Sequence, residues 1–360
     1  MATETKTKSV KIEDLLEEVV KQDASDLHLT VGKPPMLRVD GALKPVEDLS
    51  PLKAEDVEKL TFSVLDDVQK DILTKDKEVD FSFAFGDVAR FRANAYHQKG
   101  NIGLALRLIP VEIRSTEQLG LPKIADTFTT FPRGLVLVTG PTGSGKSTTL
   151  AGMVDKINTE RAVHIITVED PIEYTHMHKK SIIEQREVHY DTRSFSAALR
   201  SVLREDPDVV LVGEMRDLET IAAAITIAET GHLVFATLHT NNAAQSMDRM
   251  IDVFPPHQQQ QIRVQLSNIL QGIVSQRLIP AIGGGRVVAA EIMVATPAVR
   301  NIIREGKTHQ LDAIIQTGAE HGMQSMDKTL AGLVKSGRIT LEEAKGYAID
   351  VQEMERLLHS

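Results

Sequence analysis

The octapeptide GPTGSGKS, residues 140–147, constrains this chain more than any other stretch. It matches G-x-x-x-x-G-K-[ST] and lies between the apolar run GLVLV (134–138) and a helical pattern at 148–158. Glycines let the backbone curl until successive N–H groups point inward at phosphate oxygens, and the N-terminus of the next helix adds partial positive charge. A strand–loop–helix unit of this kind predicts an α/β sheet that binds a nucleoside triphosphate. Gly140, Thr142, Gly143, Ser144, Gly145 and Thr148 are expected around the phosphates. Lys146 is expected to reach the β- and γ-phosphates, and the Ser147 hydroxyl to ligate Mg²⁺. The chain has no Asn-Lys-x-Asp element for reading guanine, which favours ATP.

The rest of the C-terminal two thirds repeats the same texture. VHIITV (163–168), DVVLV (208–212) and HLVFATL (232–238) are near-continuous apolar runs, alternating with helical patterns at about 194–204 and 218–229. A parallel sheet covered on both faces requires this. From about residue 297 the pattern is helical. Upstream, residues 10–22 read as an amphipathic helix, and FSFAF (81–85), ARFRANAY (89–96) and GNIGLALRLI (100–109) read as strands of a small sheet. The expected organisation is therefore an N-terminal domain over 1–113, a linker over 114–133 with Gly120, Pro122 and Pro132, and an ATPase domain over 134–360.

Ligands in open α/β sheets sit at the carboxyl ends of the strands. Two acidic segments are placed there, Glu169-Asp170-Pro171-Ile172-Glu173 and Gly213-Glu214. Glu214 is assigned to the Mg²⁺ shell or the attacking water, and Glu173 to orienting or deprotonating that water. The two roles are exchangeable, and Glu169 and Asp170 also read as residues that merely cap or solvate the loop. TGHLVFATLHTNNA (230–243) carries a histidine at each end of its strand. His239 leaves at the ligand end and is the candidate γ-phosphate sensor. His232 lies roughly 23 Å away on a regular strand and faces the other side, so the two cannot share one phosphate.

Net charge is −9, with 17 Lys/Arg against 21 Asp/Glu in residues 1–115 and 24 against 29 in the remainder. Neither part is the basic module expected of a nucleic-acid binder. The chain has no cysteine, which excludes disulfides and thiolate zinc sites. No apolar run approaches a membrane span and the charged N-terminus lacks a signal-peptide core, so a cytoplasmic protein is expected.

GPTGSGKS, ITVEDPIEY, LREDPDVVLVGEMRD and TGHLVFATLHTNNA occur together in this order, and with SDLHLTVGKPPMLRVDG near the start the chain resembles the secretion ATPases that drive type II secretion and type IV pili. AVRNIIREGKTHQ (298–310) is similar to the segment that marks the pilus-retracting members. The usual Ala-Ile-Arg-Asn-Leu-Ile-Arg-Glu has Val299 and Ile303 here. The resemblance implies a PAS-like α+β N-terminal domain, a RecA-like P-loop ATPase domain with a helical tail, and a homohexameric ring. It also implies ATP with Mg²⁺, catalytic roles for both histidines, and work at the cytosolic face of the inner membrane through a pilus platform protein, alongside a second retraction ATPase in some systems. Arg90, Arg92 and Arg107 would then clamp phosphates as arginine fingers do; the plainer reading is a solvated strand face. Arg300 and Arg304, four apart on one helical face, would transmit motion; the plainer reading is a packed amphipathic helix. Missing zinc-site cysteines favour retraction over the pilus-assembly and type II secretion members. A RecA-like nucleic-acid translocase and a non-hydrolysing regulatory protein are the more distant alternatives.

Overall fold

The computed structural model describes residues 10–39, 41–86, 88–109 and 112–359. The chain forms two compact units, Met1–Glu112 and Ile113–Ser360. In the first, strands β1 (Asp26–Leu29), β2 (Met36–Val39), β3 (Ala42–Pro45), β4 (Glu78–Phe85), β5 (Ala89–Gln98) and β6 (Asn101–Ile109) make one sheet in the order β3-β2-β1-β6-β5-β4. Every pair in it is antiparallel. The alternation in ARFRANAY has a direct consequence. Ala89, Phe91, Ala93 and Ala95 are buried in a core with Leu15, Leu16 and Val19 of the helix Ile12–Lys21. Arg90 and Arg92 take the opposite face, because successive strand side chains alternate.

The second unit contains β7 (Gly134–Thr139), β8 (His164–Glu169), β9 (Ile182–Glu187), β10 (Val209–Val212), β11 (Leu233–Leu238), β12 (Leu270–Pro280) and β13 (Arg286–Val294). Their order is β13-β12-β7-β11-β10-β8-β9. All neighbours run parallel except β12 and β13. Every residue of β7, β10 and β11 is buried, as continuous apolar runs between two helical layers demand. The helix Lys146–Glu160 packs on one face. Helices Leu218–Glu229, Ala243–Asp252 and Pro256–Ile269 pack on the other. No helix among the described residues is long and apolar enough to cross a membrane.

Two features depart from the sequence reading. The β12–β13 hairpin, which extends the sheet beyond the phosphate-loop strand, has no sequence assignment. The stretch read as a linker over 114–133 belongs to the core of the second unit: Leu121, Ala125 and Phe128 are buried against β7 and the helix Lys146–Glu160. The Gly120, Pro122 and Pro132 signals mark turns within a packed segment.

Phe128 fills the space that Gly272 leaves on β12: a Cβ there would meet the ring at 2.3 Å and the Met293 carbonyl at 2.9 Å. A wedge of this kind costs about 1–3 kcal/mol. Gly272→Ala should therefore lower the free energy of unfolding in urea by that amount, with a lower midpoint, and Phe128→Leu in the same chain should recover part of it. An unchanged midpoint for the single variant would remove the wedge.

Candidate functional site

The phosphate loop joins β7 to the helix Lys146–Glu160, with Gly145 as N-cap at φ 86°. Gly140 is held at φ 147°, where a Cβ would meet the Gln276 carbonyl at 2.4 Å and Ser144 Oγ at 2.6 Å. Glycine is required there both for the dihedral and for the space. The Lys146 ammonium is buried and donates to the carbonyls of Gly140 (3.0 Å) and Pro141 (3.1 Å). Burial lowers its pKa, and Glu214 and Glu173 raise it in return. Both carboxylates thus lie near the lysine, as their positions after β10 and β8 led one to expect. The Thr148 hydroxyl is hydrogen-bonded to the Tyr174 phenol (2.9 Å), which ties the helix to the acidic segment.

Glu214 follows the buried run of β10 and His239 follows β11. Their side chains meet, His239 Nε2 to Glu214 Oε1, at 3.0 Å. Arg216 Nε donates to the same oxygen. Burial, then the positive charge of Lys146, hold the His239 pKa below its ordinary value. The lowered pKa favours the neutral imidazole, whose Nε2 lies within hydrogen-bonding distance of Glu214. Thr237 Oγ1 donates to the Gly213 carbonyl and locks the two strand ends together.

Glu169 is not the solvated loop residue that the sequence allowed. It ends β8 and accepts hydrogen bonds from Thr167 Oγ1 (2.7 Å) and Gln185 Nε2 (3.3 Å), and burial pushes its carboxyl up to about 7. A small cavity of about 30 Å³ lies between it, Ser147, Tyr174 and Gly213. Gln276, on β12, donates to the Ser144 carbonyl at 2.7 Å and braces the phosphate loop from behind. Arg216 stood two residues from Glu214 in GEMRD and was legible in principle. Gln276 carried no sequence signal, since β12 itself was unassigned. Among the described residues, no group of three or more His, Asp or Glu side chains could hold a metal ion. One hydroxyl, Ser147, and one carboxylate, Glu214, fit an Mg²⁺ ion held mainly by phosphate oxygens and water.

The remaining residues lie elsewhere. His232 immediately precedes β11 at its amino end, where Nδ1 meets the Ile227 carbonyl (2.9 Å) and Thr230 Oγ1 (3.1 Å) at the end of the helix Leu218–Glu229. In the first unit Arg92 and Arg107 are direct cross-strand partners. Arg107 pairs with Asp26 at 3.0 Å, and Arg90 donates to Ser82 Oγ at 2.6 Å. Arg300 donates to the Ser267 (2.8 Å) and Asn268 (2.9 Å) carbonyls, capping the helix Pro256–Ile269, and Arg304 reaches Ser267 Oγ at 3.3 Å.

A family model described as type II/IV secretion system protein matches residues 2–346. The chain belongs to this family. It is 53% identical to the type IV pilus retractation ATPase PilT of Pseudomonas aeruginosa, over 94% of this chain and 98% of that protein. It is 50% identical to a twitching motility protein of Neisseria gonorrhoeae, over 89% and 86% of the two chains. A crystal structure titled as the pilus retraction motor PilT with bound ADP matches with TM-score 0.90 at 51% identity, over 96% of this chain and 99% of that one. The α/β architecture expected from the secretion-ATPase resemblance is thereby borne out.

The raised Glu169 carboxyl has a stability consequence. Between pH 4.5, its ordinary value, and about 7 the folded chain holds this proton while the unfolded chain has released it. Stability is therefore lost as pH rises through that window, by an amount on the order of 1–3 kcal/mol. Glu169→Gln should gain that much relative to the parent between pH 4.5 and pH 8 in urea denaturation. A difference independent of pH would count against a buried, protonated Glu169.

Proposed function

We propose that the chain is an ATP-hydrolysing motor that powers type IV pilus retraction. The observation that carries the reading is the convergence of Lys146, Glu214 and His239 at the carboxyl ends of neighbouring parallel strands, beside a phosphate loop shaped for nucleotide. Near-full-length similarity to a pilus retractation ATPase supports the direction of the work.

In this reading the phosphate loop and Lys146 hold the β- and γ-phosphates, and Ser147 and Glu214 hold Mg²⁺. When bound, that ion supplies positive charge against the phosphate oxygens. Glu173, close to Lys146, orients the attacking water and takes its proton. The neutral imidazole of His239 can donate Nε2–H either to Glu214 or to a γ-phosphate oxygen. Exchange of that one hydrogen bond reports whether the γ-phosphate is present. Glu169, uncharged over part of the physiological range, adds no full negative charge beside the phosphates.

The motor works as a homohexamer at the cytosolic face of the inner membrane through a pilus platform protein, with a second retraction ATPase in some systems. Arg90, Arg92 and Arg107 clamp nucleotide phosphates when the N-terminal unit closes, and release on hydrolysis turns chemistry into rigid-body movement. Their present partners, Ser82 and Asp26, hold the guanidinium groups on one sheet face. Arg304, the more exposed of the two tail arginines, transmits that motion, while Arg300 keeps the helix beneath it capped. His232 acts at the opposite end of β11, away from the γ-phosphate. The net negative charge of both parts of the chain speaks against a nucleic-acid translocase.

The deciding experiment measures hydrolysis by purified protein beside Glu214→Gln, with mass in solution and the effect of added DNA. Turnover should fall by at least about 100-fold in the variant, in a hexamer indifferent to DNA. In a strain lacking its own retraction ATPase, the parent gene should restore twitching. Stimulation by DNA, or turnover that survives without Glu214, would end this reading. Arg90→Ala/Arg92→Ala should likewise cripple turnover; an unimpaired rate would leave these arginines as an ordinary strand face.

A further inference from the structure

The β12–β13 hairpin brings a buried carboxyl, Glu291, and the buried polar side chains of Ser275 and Gln276 into the sheet interior. Glu291 on β13 is 3% exposed, and its ladder partner on β12 is Ser275, fully buried. The Ser275 hydroxyl stands beside the Glu291 carboxyl across the ladder and favours its charged form. Ser275 Oγ in turn accepts from Thr139 Oγ1 at 2.9 Å. Thr139, also fully buried, is the last residue of β7 and precedes Gly140 of the phosphate loop. At its other side Glu291 accepts the Ala243 backbone N–H at 2.8 Å. Ala243 is the first residue of the helix Ala243–Asp252, directly after the loop that begins at His239. Two hydrogen bonds joined by the Ser275–Glu291 cross-strand pair thus connect the loop carrying His239 to the base of the phosphate loop.

A simple capping role does not account for Glu291. The helix already has Asn242 as N-cap, accepting from Gln245 N–H at 2.8 Å. Thr240 is joined to Ser246 at 2.6 Å, which holds the loop to the helix from within. Burying a carboxyl and two hydroxyls in a sheet core is costly unless they find polar partners. Burial pushes the Glu291 carboxyl up to about 7, and the Ala243 N–H and Ser275 hydroxyl oppose that shift.

We propose that Glu291 is a positioning residue that fixes the His239–Asn242 loop at a set spacing from the phosphate loop, so that the groups holding the β-phosphate and sensing the γ-phosphate keep one geometry. The proposal rests on His239 facing the γ-phosphate. It involves no contact between Glu291 and nucleotide.

The test compares kcat, KM for ATP and ADP affinity for Glu291→Ala, Glu291→Gln, His239→Ala and Glu291→Ala/His239→Ala. A misplacement of about 1 Å near the reacting atoms costs on the order of 100-fold. Glu291→Ala should lose about 10- to 100-fold in kcat while ADP affinity stays within about 3-fold of the parent. Glu291→Gln, which keeps an acceptor for Ala243 N–H, should recover most of the rate. The double variant should be no slower than His239→Ala alone, because residues acting through one another are not additive. Where Glu291→Ala does not fold, Ser275→Ala breaks the same connection by one hydroxyl and takes its place in each comparison. Losses that multiply in the double variant, or an ADP affinity that falls as far as kcat, would overturn the proposal. A His239→Ala protein with normal turnover would instead remove the sensor reading beneath it, and the proposal with it.

Discussion

The parallel ladder β7–β11–β10–β8 is the constraint on which the site depends. Thr139 pairs with Leu238, so Gly140 and His239 emerge side by side. Val212 pairs with both Ala236 and Val168, so Gly213 emerges beside Glu169 and Thr237. Each loop begins where its strand's backbone bonding ends, and four loops therefore open on one edge. A slip of one residue in any pair would turn that strand's side chains to the other face and carry its loop away from the phosphates. Burial of every residue in β7, β10 and β11 resists such a slip, since no polar face exists for the strand to expose.

On that edge, charge is balanced by burial. Lys146 has lost part of its hydration and leans on Glu214 and Glu173. His239 is kept neutral by the same burial and by the lysine beside it. Glu169, half-buried and desolvated without a cation to offset it, has its carboxyl pushed up to about 7. Three acids at neighbouring strand ends therefore do different things because their surroundings differ. The proposed mechanism uses that difference: Glu214 and Glu173 lie near Lys146, His239 lies beside Glu214, and Glu169 adds no full negative charge below about pH 7.

Much of this was legible because the relevant bonds are local. The phosphate loop, its flanking strand and its helix occupy some 27 consecutive residues, 134–160, and local spacing is what periodicity records. The same holds for Glu214 and His239, each directly after an apolar run, and for the separation of His232 from His239 along one strand. Illegible parts were those decided across the sheet. Residues 114–133 carry turn signals, yet Phe128 is buried against Gly272, well over 100 positions away in sequence. Gln276 and Glu291 sit in a hairpin whose partners are the phosphate-loop strand and the helix after His239. No pattern within residues 270–294 encodes that.

By itself the sequence determined the placement of the chemistry: a phosphate-loop motif at residues 140–147 between strand and helix, acidic residues and a histidine after apolar strands, and a small alternating-strand unit ahead of them. Local hydrogen bonding and side-chain period are sufficient for that much. Only the tertiary structure decided which strands are neighbours, that Glu214 and His239 meet at 3.0 Å, that Glu169 is half-buried beside Thr167 and Gln185, and that Glu291 lies between two loops beside Ser275. Those contacts depend on lateral strand order and register, which are set by packing the whole sheet between its helices and leave no trace in any short stretch of chain.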